Sequence, residues 1–446
     1  MFFNPDIETL PLPKLRQLQS ERLQKLVEYV YQRVPFYKKQ LDAAGVRHGD
    51  IRSVHDLHKL PFTKKNDLRD NYPFDLFAVP KTEVIRVHAS SGTTGKPTVV
   101  GYTRQDLDVF SEVNARSLAA AGCRPGMMLQ NAYGYGLFTG GLGLHYGAEK
   151  LGLTVVPVSG GMTDRQLMLL QDFRPDAISC TPSYAQTLAE QIHTRNIKLE
   201  NLNLKFAILG AEPWTETIRE HVERGLNVRA TNIYGLSEII GPGVSQEDVE
   251  EKGTGSYIWE DHFFPEIVHK ETGEPLPEGE TGVLVFTTLT KKAMPLLRYW
   301  TNDITNIYYQ HSYKRTHVKM GPILGRSDDM LIIRGVNFFH TQVEDLLHDF
   351  PEFSPHYQVV VSREGNLDEV SLYVEVEPHL LERLDLAGIP EDRYAYDDSL
   401  QNLRRRLQKK IKDNIGLTMQ VILRQPGNIP RSEGGKLNKV KDLRRS

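Results

Sequence analysis

Several short stretches of this sequence hold residue types suited to binding a phosphorylated ligand. The stretch "SSGTTGKP", Ser90 to Pro97, combines backbone-permissive glycines, four hydroxyls and one ammonium, which suits a phosphate chain. It is not a Walker A loop. Two residues separate Gly92 from Gly95-Lys96 where that pattern needs four, and Pro97 stands where a magnesium-binding Ser or Thr is required. "YGLSE", Tyr234 to Glu238, supplies an aromatic face, a glycine, a hydroxyl and a carboxylate. "RYWTND", Arg298 to Asp303, ends on an acid able to accept hydrogen bonds from both hydroxyls of a ribose. "GRSDDMLIIRG", Gly325 to Gly335, and "RSEGGK", Arg431 to Lys436, add a polar junction and a lysine on a Gly-flanked loop. Taken singly, each also reads as an ordinary turn, cap or surface segment.

The flanks decide what must position these groups. Val84–His88 and Val99–Thr103 are rich in β-formers, so the first loop is expected to join two strands, with no helix N-terminus to receive the phosphates. Apolar residues from Leu15 to Val34 recur at helical spacing, and short helices with Pro-marked turns follow to about Pro80. From Gln130 to Tyr234 strand-like and helix-like runs alternate: strands at 153–158, 177–180, 206–209 and 228–234, helices at 164–173, 184–193 and 215–224. Such alternation implies crossover units on a largely parallel sheet, with "YGLSE" closing a strand where α/β folds place ligand loops. Beyond Gly235 shorter β-rich pieces, Gly282–Thr288 among them, suggest a β-rich subdomain packed on that body. After Gly325–Asp329 come a hairpin (358–362 and 370–374), a charged helix (399–414) and a strand (420–423), which make a small α+β domain. The basic run Arg404 to Lys412 reads as the solvated face of that helix.

Bulk properties exclude several classes. The 446 residues are too many for one core. A net charge of -3, with 25% charged and 39% hydrophobic residues, gives no polyelectrolyte reason to expect nucleic acid or a membrane surface as partner. No apolar run approaches the ~20 residues of a membrane span. The start "MFFNPDIETLPLPK" does not read as a signal peptide, so the cytoplasm is the expected location. Two cysteines, Cys123 and Cys180, provide neither a disulfide framework nor a zinc set.

The order and spacing of the motifs carry more than any one of them. With "VPFYKKQLDAAGV", "HASSGTTGKPTVVGYT", "YGYGLFTGGLGLHYGAE", "LGAEPW", "IYGLSE", "WEDHFFPEI" and "GRSDDMLIIRGVN", the chain resembles, over essentially its full length, the AMP-forming adenylating superfamily of acyl-CoA synthetases, luciferases and peptide-synthetase adenylation domains. The glycine-rich aromatic segment and "EDHFFPE" resemble its phenylacetate–CoA ligase branch more narrowly. The resemblance implies an α/β fold with a large adenylating domain of parallel α/β sheets plus a β-rich subdomain, and a small mobile α+β C-terminal domain. The expected boundaries are a helical segment 1–80, the AMP-binding domain 81–327 and the C-terminal domain 328–446, hinged near 328.

The implied reaction joins an aryl-acetate to coenzyme A in two steps at one site, a step in phenylacetate catabolism. A carboxylate displaces pyrophosphate from Mg-ATP, and the thiol then displaces AMP. On this likeness Ser91, Gly92, Thr93, Thr94, Gly95 and Lys96 cradle phosphates, and Ala211, Glu212, Pro213, Tyr234, Gly235, Ser237, Asp303 and Arg326 hold the nucleoside and α-phosphate region. Tyr234 is expected to stack on adenine, Asp303 and Arg326 to bind ribose, and Glu238 to hold Mg²⁺, the one metal expected. Lys436 would bridge the attacking carboxylate and the α-phosphate. Asp328 maps to the hinge, and the Arg334-Gly335 loop would enter for the thiol step. The segment Tyr133 to Ala148 contains three tyrosines, one phenylalanine and no Asp, Glu, Lys or Arg, which suits an aryl acid and offers nothing to an amino group. Tyr133, Phe138, Ile233, Ile240 and Pro242, with Ala211 and Pro213, are its expected wall.

Three departures from the family pattern stand out. Trp300 replaces a usual basic residue near Asp303, "RSEGGK" is one glycine longer than usual, and Pro322 and Leu324 occupy the cysteine positions of a zinc site of which His262 survives. No zinc is expected. The rival within the class adenylates another aromatic acid or passes it to another acceptor such as a carrier-protein thiol. A P-loop kinase and a non-catalytic nucleotide binder are the rivals outside it. The amphipathic first helix is expected either at a homodimer interface or against its own body.

Overall fold

The structure, a computed structural model, describes residues 1–90, 97–309, 314–327, 331–334, 336–364, 367–432 and 437–445. The helix Leu12–Arg33 turns Leu15, Leu23, Leu26, Val27 and Val30 inward. Four of these side chains share one core with Tyr37, Leu284, Phe286 and Tyr299, so the apolar stripe is covered by the chain's own body.

The central sheet has nine strands. Arg229–Leu236, Phe206–Gly210, Ala177–Cys180, Met128–Asn131 and Thr154–Val156 run parallel in that spatial order. Helices Gly140–Leu151, Thr163–Asp172, Pro182–Thr194 and Glu216–Leu226 make the connections, as the alternating pattern requires. The other half differs from the largely parallel sheet expected. Arg229–Leu236 folds straight back into Gly241–Glu247, and Ser256–Ile258, Lys319–Met320 and Ile307–Tyr308 continue the same sheet antiparallel. The β-rich pieces after Gly235 are therefore shared. Some extend this sheet, whereas Phe263–Val268, Gly282–Thr288, Tyr299–Thr305 and Gly325–Arg326 form a separate four-stranded antiparallel sheet.

The C-terminal region builds its own core. Strands Gln420–Arg424, Leu367–Val376, Phe353–Glu364 and Val440–Asp442 form a mixed sheet. Helix Asp398–Ile415 closes it with Leu400, Leu403, Leu407, Ile411 and Ile415. Asp397 caps this helix by accepting from the Leu400 N–H at 2.8 Å. Arg406 and Lys410, from the basic run, pair with Glu352 and Asp349 at the surface. No described helix is long and apolar enough to cross a membrane.

Candidate active site

Strands Arg86–Ser90 and Thr98–Tyr102 pair antiparallel, and the register Ser90 to Thr98 brings together the two ends of the glycine-rich loop. Ser91, Gly92, Thr93, Thr94, Gly95 and Lys96 lie outside the described residues. The base of the loop is tied to the aromatic segment: the Ala89 N–H donates to the Leu137 carbonyl at 3.0 Å, and His88 Nδ1 lies 3.0 Å from the same oxygen.

The parallel strand Arg229–Leu236 delivers Tyr234 to a second cluster. The Tyr234 hydroxyl donates to Asp303 Oδ2 at 2.6 Å, and Arg326 reaches Asp303 Oδ1 at 3.2 Å. Asp303 and Arg326 face each other across paired strands, so the sheet register sets their spacing. Burial, and then the Asp303 carboxylate, hold the Tyr234 phenol well above its ordinary pKa. Gly235 is packed so closely that a Cβ there would lie 1.9 Å from the Gly241 carbonyl oxygen, which only glycine tolerates. Ala211 takes φ +72°, a left-handed conformation costly for alanine and common where backbone is aimed at a ligand. The expected indole beside Asp303 is not what the fold builds. Trp300 instead meets Phe62 edge-on at 5.0 Å and packs with Val268, Val283 and Val285.

The turn after this strand holds Ser237 and Glu238. Ser237 Oγ lies 3.2 Å from Thr139 Oγ1, which joins the turn to the start of the helix Gly140–Leu151 within the aromatic segment. Glu238 is 7% exposed. Its backbone carbonyl accepts from Lys291 Nζ at 2.9 Å, and the Tyr299 phenol lies near its carboxylate. Among the described residues that carboxylate forms no ion pair, which leaves a hard oxygen donor of the kind Mg²⁺ prefers. Lys291 was not anticipated. Burial lowers its pKa to about 8, against the pull of Asp106 and Glu238, and its ammonium lies 5.3 Å from the Tyr102 ring centroid. The signal available in sequence was a lysine pair between apolar runs, "TTLTKKAMPLL".

Of the expected aryl wall, Tyr133, Ile233 and Ala211 pack in one cluster, and Phe138 is 40% exposed at its edge of the fold. Pro242 closes on Gly143, one turn into the helix Gly140–Leu151. Ile240 is buried in the core with Tyr102 and Phe110. The Tyr133 hydroxyl is buried beside the Gly210 backbone, with no well-aligned hydrogen bond among the described residues, and burial raises its pKa well above the usual range.

Asp328, Gly335 and Lys436 lie outside the described residues. Their neighbours are placed. Ser327 donates from its N–H to the Asn302 carbonyl at 2.7 Å, which ties the residue before the hinge position to the Asp303 strand. Arg334 takes φ +50° between paired strands Leu331–Ile333 and Val336–Phe338, and its Nε donates to the Asp368 carbonyl at 2.7 Å. Leu437 N–H donates to Glu212 Oε1 at 2.7 Å, so the residue after Lys436 touches the "GAEPW" segment. Pro213 follows in that segment, half-buried. His262, the remnant of the zinc pattern, places Nδ1 2.8 Å from Thr290 Oγ1 in a buried ionic network with Asp261 and Arg116.

The Tyr234–Asp303–Arg326 cluster thus lies at the end of a parallel strand, paired strands flank the glycine-rich segment, and the C-terminal region has its own core, and the family this arrangement belongs to is an adenylating one. A family model described as AMP-binding enzyme matches residues 8–290, and one described as AMP-binding enzyme C-terminal domain matches 335–444. The chain belongs to the AMP-binding enzyme family and, within it, to the phenylacetate-coenzyme A ligases. It is 66% identical to the phenylacetate-coenzyme A ligase of Thermus thermophilus over 100% of both chains. It is 49% identical to that of Escherichia coli, covering 98% of this chain and 97% of that one. Among solved structures, a 2-hydroxyisobutyryl-CoA ligase in the postadenylation state superposes with a TM-score of 0.88 at 26% identity, covering 99% of this chain and 92% of that one. The same ligase in its thioesterification state, with adenylate and CoA, superposes at 0.71 and 27% identity over the same shares of the two chains.

Proposed function

We propose that this protein converts phenylacetate, ATP and coenzyme A to phenylacetyl-CoA, AMP and pyrophosphate through phenylacetyl-adenylate. One observation carries the reading: 66% identity over the whole chain to a phenylacetate-coenzyme A ligase. The fold adds that Tyr234, Asp303, Arg326 and Glu238 lie around the turn that ends one parallel strand. Aryl acids are favoured over amino acids because the segment from Tyr133 to Ala148 has no carboxylate for an ammonium group.

In the first step a carboxylate oxygen attacks the α-phosphorus and pyrophosphate departs. Two anions approach, so fixed donors and positive charge must wait where charge accumulates. Ser91, Thr93, Thr94 and Lys96, with Gly92 and Gly95 allowing close approach, would hold the β- and γ-phosphates. Tyr234 would lie against adenine, with Ala211, Glu212, Pro213, Gly235 and Ser237 shaping that end. Asp303 and Arg326 would hold the ribose, and their hydrogen bond in the free protein already sets the carboxylate's orientation. Glu238 would hold Mg²⁺, which when bound neutralises phosphate charge. Lys436 would stabilise the charge shared by the attacking carboxylate and the α-phosphate. In the second step the thiolate of coenzyme A attacks the acyl carbon and AMP leaves. Rotation at Asp328 would withdraw Lys436 and bring in Arg334 and Gly335.

The division at 80 and 327 belongs to this proposal. It is supported by the separate core of residues 331 to 423 and by the spans of the two family models. A cytoplasmic location is part of the same reading. If the protein forms a homodimer, another surface must serve, since the first helix spends its apolar stripe internally. The test is acid-dependent pyrophosphate release over phenylacetate, hydroxyphenylacetates, benzoate and short fatty acids. Phenylacetate should give the highest kcat/KM, and a preference for benzoate or fatty acids would refute the substrate assignment.

A further inference from the structure

The helix Pro182–Thr194 presents Ser183, Thr187 and Glu190 along one face, at the i, i+4, i+7 spacing that keeps side chains in line. Each reaches toward the C-terminal segment that carries the lysine. Glu190 Oε2 accepts from Arg431 Nε at 3.0 Å, and Glu190 Oε1 bonds His356 of the C-terminal sheet. Thr187 Oγ1 lies 3.5 Å from the Ser432 carbonyl. Ser183 donates from N–H (3.2 Å) and Oγ (3.0 Å) to Glu212, whose Oε1 accepts in turn from Leu437 N–H at 2.7 Å. Arg431 is also fixed from behind, by two bonds of 2.8 and 2.7 Å to the buried Glu375. The chain is thus held on both sides of residues 433–436, by contacts that no local sequence pattern joins.

We propose that Ser183, Thr187, Glu190 and Glu212 form a docking rail whose residues position the lysine segment for adenylation and must let it go for thioester formation. This rests on the assignment of Lys436 made above. The rail belongs to one arrangement of the C-terminal region, the arrangement that superposes at 0.88 on a postadenylation state and at 0.71 on a thioesterification state. Breaking the single Arg431–Glu190 bond removes a charge-assisted contact. Glu190 is about a quarter exposed, which tempers the loss. Glu190 is a positioning residue because it acts through Arg431.

The test is single-turnover kinetics of both half-reactions on Glu190→Gln, Thr187→Val and Lys436→Ala, with thermal unfolding as a control. Glu190→Gln should slow adenylate formation about tenfold and leave thioester formation from supplied phenylacetyl-adenylate within about twofold, or faster. Thr187→Val should show the same selectivity with a smaller loss. Adding Glu190→Gln to Arg431→Gln should cost less than the sum of the two single losses, since both remove the Glu190–Arg431 contact and only the His356 bond of Glu190 is lost in addition. Equal losses in both half-reactions, or none, in Glu190→Gln and Thr187→Val overturn the rail if Lys436→Ala still blocks adenylation selectively. If Lys436→Ala shows no selectivity, the lysine assignment falls and the rail falls with it.

Discussion

Glu238 shows what side-chain chemistry the sequence made legible and what it hid. A lone carboxylate after Tyr234-Gly235, in a site proposed to hold a triphosphate, is what makes it the proposed magnesium ligand. Its supports were not legible, because Lys291, in the loop between strands Gly282–Thr288 and Tyr299–Thr305, and Tyr299, at the start of the second of these, reach it from far along the chain. Glu238→Gln keeps the shape and removes the charge. The variant should need a higher Mg²⁺ concentration for pyrophosphate release while still using preformed phenylacetyl-adenylate at the normal rate. A normal Mg²⁺ titration would remove Glu238 from the metal site. The pairing of Tyr234 with Asp303 was equally hidden: both residues were expected near nucleotide, yet only the approach of the nine-stranded sheet to the four-stranded one places the phenol on the carboxylate.

Among elements, local pattern served where an element is decided locally. β-formers on both sides of the first loop became the paired strands Arg86–Ser90 and Thr98–Tyr102. The helix and strand alternation became the parallel half of the sheet. Pattern failed after Gly235, since a two-residue period does not say which sheet a strand joins, and Gly241–Glu247 returned to the strand it had just left. Contacts between the helix Pro182–Thr194 and the segment after Ile429 span most of the chain and leave no local trace. The two-arrangement mechanism also belongs to this scale. Lys436→Ala should suppress adenylate synthesis by about 10²–10³, as loss of one preorganised donor does, and spare thioester formation. Asp328→Pro fixes φ at the hinge and should do the reverse. Rapid-quench measurement of each half-reaction checks both. A selective defect in Lys439→Ala instead would mean that the extra glycine has moved the catalytic lysine, although Lys439 here pairs with Glu344.

Over the whole molecule, length and composition correctly implied several cores, and the structure has distinct clusters in its helical, α/β and C-terminal parts. The buried ionic network around Asp261 was not foreseeable, since its members come from residues far apart in sequence. It gives a pH dependence. Burial lowers the pKa of His262 from 6.5 to about 4, so the native protein keeps the ring neutral while the unfolded chain protonates it. That contribution is complete above pH 6.5 and is lost as pH falls toward 4, by about 3 kcal/mol. Burial depresses His317 in the same direction. The unfolding midpoint should fall across this window in wild type and fall less in His262→Gln, as followed by circular dichroism; parallel curves would contradict the assignment. The reaction itself is tested most directly by separating the products formed from ATP, Mg²⁺ and phenylacetate with and without coenzyme A. With coenzyme A, phenylacetyl-CoA, AMP and pyrophosphate should appear in equal amounts, and without it a single turnover should leave phenylacetyl-adenylate on the protein. ADP and phosphate among the products, or turnover indifferent to coenzyme A, would contradict the account.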